Sequence, residues 1–113
     1  MSYRELARIT VEAVEEAQLV RVAGEVDAST AGALRRCLRS ARDERATLLL
    51  DLSDVGFIDS SGLRVLLDAS RAAADTGWPF FIVRPSSRVR RLIGLTGTAT
   101  ELALVESRDP VAA

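Results

Sequence analysis

The stretch LLLDLSDVGFIDSSGLRVLL, residues 48–67, contains a strand, a helix and the segment between them that raises the question of function. Its first part continues "ATLLLDL" from Ala46, a short apolar run of the kind that marks a strand covered on both faces. From Ser61 onward, Leu63, Leu66, Leu67 and Ser70 recur at helical spacing and should face a sheet, while Arg64, Asp68, Arg71 and Asp75 form a wet side at ion-pairing intervals. The spacing predicts a helix to about Asp75, with Gly77 as its stop and Pro79 preventing continuation. "DLSDVGFIDSSGL" then reads as the loop leaving the carboxyl end of a central strand, where α/β domains most often handle ligands and modifications. Gly56 is expected to take a positive φ there, Phe57 and Ile58 to anchor the loop, and Asp59, Ser60 and Ser61 to lead into the helix.

Outward from this centre, "ARITVEAVEE" and "AQLVRVAGEV" alternate apolar and polar residues and predict two antiparallel strands joined through the polar "EEAQ". After "GEVD" the period changes. Ala31, Leu34, Cys37, Leu38 and Ala41 form one helical face, with Arg35, Arg36, Arg39 and Arg42 on the others and Ser29 or Thr30 as a cap. "PFFIV" predicts a buried strand, "PSSRVRRLIGLTG" a shorter helix capped by serine and closed by Gly94 and Gly97, and "ELALV" a last strand. The order β β α β α β α β implies an α/β fold, a mixed sheet with helices packed against it. One domain is expected over residues 1–113, with its core at about 9–105 and a frayed tail at 106–113.

The totals narrow the function. The chain has 113 residues, 48% of them hydrophobic, enough for a core without metal or disulfide, and its single Cys37 reads as core filler. Fifteen basic residues, all arginine, nearly balance sixteen acidic ones, so no net field draws the chain to nucleic acid or anionic lipid. No apolar run reaches membrane-spanning length and the charged start does not resemble a secretory signal; a cytoplasmic protein is expected. The chain contains no histidine, which removes a Ser-His-Asp hydrolase and most zinc sites; no enzyme activity, metal or cofactor is expected.

Three readings of the serine pair compete. Asp59 or Ser60 can cap the helix, contributing on the order of 1 kcal/mol, but one cap needs only one oxygen. A catalytic serine lacks both the G-x-S-x-G frame and a base, and a phosphate-binding loop lacks its glycines and lysine. Covalent phosphorylation would add about −1.5 to −2 charges at a helix N-terminus, where free N–H groups tolerate an anion. Beside these hydroxyls, Ser61, Val65, Ala69 and Ala72 form a smooth strip expected to approach another protein.

"GEVD", "LLLDLSDVGFIDSSGLRVLL" and "SSRVRRLIGLTG", in this order and at these separations, resemble the anti-sigma factor antagonists, single-domain members of the STAS family. The resemblance runs from about Ile9 to Val105. It implies a partner switch: the unphosphorylated protein binds an anti-sigma factor that is also a serine kinase and so frees the sigma factor. Phosphorylation by that kinase breaks the complex, and a PP2C-type phosphatase restores it. Carried across by motif, the phosphorylated residue is Ser61, flanked by Ser60 and Asp59, with Asp27 beside the site. The residues expected to meet the partner are Asp27, Asp59, Ser60, Ser61, Gly62, Arg64, Val65 and Ala69. The alternative within the family is the STAS subunit of a lipid-transport ATPase complex, a binding module without a switch.

Overall fold

The structure is a computed structural model that describes residues 7–42 and 46–106. Five strands form one sheet in the order β1-β2-β3-β4-β5, made of β1 (Arg8–Val14), β2 (Ala17–Val26), β3 (Thr47–Ile58), β4 (Phe80–Val83) and β5 (Leu104–Val105). The helices are α1 (Ala31–Ala41), α2 (Ser60–Thr76) and α3 (Ser87–Thr96), with a short 3₁₀ turn at Ala99–Glu101. The expected element order is thus observed, while "ELALV" divides between the 3₁₀ turn and a two-residue strand.

β1 and β2 pair antiparallel, and their two-residue connection is closed by Glu15 at φ 54°. Every later pairing is parallel. Each of β2, β3 and β4 therefore delivers the chain to the same end of the sheet, and α1, α2 and α3 carry it back.

The apolar run of β3 is buried on both sides, as its composition requires. Leu48, Leu50 and Leu52 join Val20, Val22 and Ile82 beneath the helices, which contribute Leu34, Leu38, Leu63, Leu66, Val89 and Ile93. Leu49 turns the other way and forms a small cluster with Leu19 and Val83, supplied among the described residues by strands alone. At roughly 1.5–3 kcal/mol for each large side chain buried, the helix-covered face dominates stability.

β3 is longer than its sequence predicts. "SDVGFI" is not a loop: the strand continues to Ile58, and Gly56 does not adopt a positive φ. Opposite β2 it carries two extra residues, one between Asp51 and Asp54 and one between Val55 and Phe57. Such bulges break the alternation of faces. They bury Val55 and Ile58 while leaving Phe57 45% exposed, so only Ile58 anchors this segment.

Helix ends follow local chemistry. α2 and α3 both stop at left-handed glycines, Gly77 at φ 69° and Gly97 at φ 67°. Ser86 caps α3 by accepting from the Val89 N–H and donates to the Val55 carbonyl at 2.6 Å, tying α3 to bulged β3. At α1 the expected cap is absent: Thr30 occupies the N-cap position, but its hydroxyl donates to the Glu25 carbonyl instead. Cys37 is half-buried against the core, and burial raises its thiol pKa.

Candidate functional site

The ends of β2 and β3 lie side by side, with Val26 opposite Ile58. The next residue of each strand is an aspartate, Asp27 or Asp59, and the Asp59 N–H donates to the Val26 carbonyl at 3.2 Å. Asp59 is the N-cap of α2: its carboxylate accepts from the Ser61 N–H at 2.8 Å and from the Gly62 N–H at 3.2 Å. One side chain thus satisfies two of the four free N–H groups of the first turn.

Gly62 follows from how closely α2 approaches the sheet. A Cβ there would lie 2.8 Å from side-chain atoms of Ile58 and Val26 and 2.9 Å from the Val26 carbonyl oxygen. The third residue of the helix is therefore pressed onto the strand ends, bringing the first turn beside Val26 and hence Asp27. Gly62 is buried and carries no side chain, so its part is to permit this approach rather than to touch a partner as expected.

A pattern passed over in the sequence now acquires meaning. Four aspartates are each followed two residues later by serine; Asp68-Ala69-Ser70 lies inside α2, and the other three, Asp27-Ala28-Ser29, Asp51-Leu52-Ser53 and Asp59-Ser60-Ser61, form turns. In all three the carboxylate accepts the serine's backbone N–H, at 2.9, 2.9 and 2.8 Å. In the first two it also accepts the serine hydroxyl, at 2.6 Å in each case. Around Asp59 the same oxygen accepts Gly62 instead, and the half-buried Ser61 hydroxyl has no hydrogen-bond partner among the described residues. Ser60 is exposed and likewise unengaged among them.

Asp27 and Asp51 are both buried, at 6% and 4% exposure. Besides Ser29, Asp27 interacts with Thr30, whose hydroxyl accepts the Asp27 N–H at 3.0 Å. Asp51 accepts from Ser53 and pairs with Arg84 at 3.2 Å. Burial by itself would raise the Asp51 pKa, but the two Ser53 hydrogen bonds and Arg84 outweigh it and hold the carboxyl below its ordinary value. Sequence reasoning missed this second buried acid; the repeated D-x-S spacing was the available signal.

The expected contact residues separate. Asp59, Ser60 and Ser61 occur in the first turn of α2, with Asp27 in the adjacent loop. Arg64 is exposed and has no acidic partner among the described residues. Val65, by contrast, is 1% exposed, packed in the core and lining the seam between α1 and α2, and cannot present a smooth outer strip. Ala69 lies half-buried in the same seam. The strip fails because α2 has two covered sides, one against the sheet and one against α1. The expected wet-side pairs also differ: Asp68 binds Arg35 of α1 and Arg71 binds Glu101, each at 2.9 Å, rather than each other. Conversely, Phe57 provides an exposed aromatic ring next to the site.

Among the described residues, no group of three potential ligands is arranged to hold a metal ion, and no helix is long and apolar enough to cross a membrane. The geometry offers a serine hydroxyl, two nearby carboxylates and an exposed aromatic ring at one end of a rigid sheet. Such an arrangement suits recognition and modification by another protein.

Comparison with known proteins finds relatives among anti-sigma factor antagonists. The anti-sigma-B factor antagonist of Bacillus subtilis (strain 168) is 33% identical over 78 residues, 69% of this chain and 72% of that protein. The crystal structure of an anti-sigma factor antagonist from Mycobacterium paratuberculosis superimposes with a TM-score of 0.78 at 30% identity, covering 99% of this chain and 96% of that one. The anti-sigma factor antagonist SpoIIAA shares the fold in its unphosphorylated form, with TM-score 0.72, 20% identity and coverage of 92% and 93%. The phosphorylated form of the Bacillus SpoIIAA does so with TM-score 0.68, 19% identity and coverage of 93% and 97%. The STAS domain model matches residues 8–109. By this match across nearly all of its length, the chain belongs to the STAS domain family.

Proposed function

We propose that the chain is a cytoplasmic anti-sigma factor antagonist that docks on a serine-kinase anti-sigma factor when Ser61 is unmodified and is released when Ser61 is phosphorylated. The observation that carries this reading is the hydroxyl of Ser61, the one serine of the three D-x-S turns whose oxygen is not bonded to the preceding aspartate. Its relatives among anti-sigma factor antagonists support the general role.

In the proposed reaction the Ser61 oxygen bonds to the γ-phosphorus of ATP held by the partner, its proton passes to a base of that kinase, and the bond from the γ-phosphorus to the bridging oxygen breaks to release ADP. The phosphoryl group so attached carries about −1.5 to −2 charges, near Asp27 and Asp59. The α2 dipole favours an anion at this end of the helix, so the domain stays folded. A partner surface shaped for a neutral hydroxyl is repelled. Hydrolysis by a PP2C-type phosphatase restores docking.

The decisive experiment mixes the chain with the candidate anti-sigma factor and ATP and maps phosphate by mass spectrometry. Modification at Ser61, its loss in Ser61→Ala, and retained binding by that variant are expected. Ser61→Asp should weaken binding about tenfold or more, or at least 1.4 kcal/mol. Phosphate on Ser60 alone would overturn the assignment. A tight complex with a transport ATPase, indifferent to Ser61, would replace the switch with a non-switching module.

A further inference from the structure

α1 and α2 both run away from the serine end, and a groove of about 170 Å³ lies between them. Its apolar lining includes Leu38, Val65 and Trp78, and its rim carries Arg35, Arg39 and Arg42. Arg35 is neutralised by Asp68 at 2.9 Å. Arg39 and Arg42 have no carboxylate partner among the described residues, although Arg42 donates to the Thr76 hydroxyl at 3.0 Å and lies over the Trp78 ring at 4.9 Å. The groove is thus locally basic in a chain whose net charge is −1.

A second feature points the same way. Trp78, which lines the groove, is 9% exposed, and its indole N–H is a buried donor with no partner among the described residues. Leaving such a donor unpaired costs about 1–3 kcal/mol, so an acceptor brought there gains more than it would at the surface.

The dimensions select the occupant. Sites for small organic ligands usually measure about 300–1,000 Å³, and this groove is smaller, with room for one or two side chains. An anionic membrane is disfavoured by the concave shape and by the small number of uncompensated charges, since lipid-binding clusters usually carry about 4–8 basic residues. An acidic protein segment fits both features. Its apolar side chain would rest against Ala69, Ala72 and Trp78, and its carboxylates would meet Arg39 and Arg42.

We propose that the α1–α2 groove is a second docking surface, which receives an acidic segment of a protein partner by one apolar anchor and two carboxylate–arginine pairs. It lies toward the far end of α2 from Ser61 and operates whatever the state of that serine.

The chain contains a single tryptophan, so its indole N–H gives one unambiguous NMR signal. A short synthetic peptide of glutamates with leucine every third or fourth residue serves as the probe, titrated into the full-length chain. Its glutamine-for-glutamate counterpart, inorganic phosphate, ATP and anionic vesicles are run alongside. The glutamate peptide is expected to shift the indole signal saturably, with affinity falling about tenfold in Arg39→Glu and at high salt, and unchanged in Ser61→Asp. Ala72→Glu, which narrows the groove from an exposed position and repels carboxylates, gives the same loss should Arg39→Glu disturb folding. An unmoved indole signal overturns the proposal, as does equal binding of the glutamine peptide. Saturable binding of phosphate, ATP or vesicles in place of the peptide also overturns it.

Discussion

Ser61 differs from Ser29 and Ser53 by one hydrogen bond, and the difference arises from its neighbour. Gly62 offers a second helix N–H to Asp59, occupying the oxygen that would otherwise hold the serine hydroxyl. Phe57, three residues before the start of α2, is where an aromatic anchor would meet a partner. Phe57→Ala should lower partner affinity about tenfold while changing stability by no more than about 0.5 kcal/mol, as read by calorimetric titration and thermal melts. Asp51 makes a pH prediction. Its folded pKa lies below the unfolded value, so its contribution is complete above the ordinary carboxylate range and disappears as pH falls through the folded pKa. Asp51→Asn should cost about 1–3 kcal/mol at neutral pH, and its urea midpoint should converge with the parent's in acid. Parallel curves at all pH values would contradict this assignment.

Within single elements, α2 carries most of the constraints. Helix propensity alone would have Gly62→Ala stabilise the chain by up to about 1 kcal/mol. The 2.8 Å approach to Ile58 and Val26 predicts the opposite sign: a loss of about 1–3 kcal/mol in chemical denaturation, because backbone as well as side chain stands in the way. Val65→Arg places a guanidinium in the α1–α2 seam and should cost more than about 3 kcal/mol, visible as lost cooperativity or insolubility. β3 explains why its second half reads as a loop. Two bulges interrupt the alternation by which strands are recognised, and the serine, aspartate and glycine at 53–56 have the composition of turns.

Among the described residues, sheet and helices share one core. α1, α2 and α3 share a single apolar cluster with the central strands, and Trp78, stacked on Phe80 with ring centroids 5.6 Å apart, lies at its lower end. Trp78 fluorescence and backbone circular dichroism should therefore report coincident urea transitions. Separated midpoints would mean that the β1–β2 hairpin, with Val11 and Val14 exposed on its outer strand, unfolds independently.

Much of this was legible in the residues themselves. Alternation, helical periodicity and Gly77 and Gly97 as helix stops fixed the order of elements, and D-S-S-G directed attention to the mouth of α2, because these signals depend on neighbours within one or two turns. What needed the tertiary structure was every choice between equivalent faces. Val65 and Phe57 are both apolar, yet one fills the seam between helices and the other stands in solvent, since burial is set by which element lies opposite. The need for glycine at position 62 likewise appears only where α2 meets the strand ends, a condition created by a contact between distant parts of the chain.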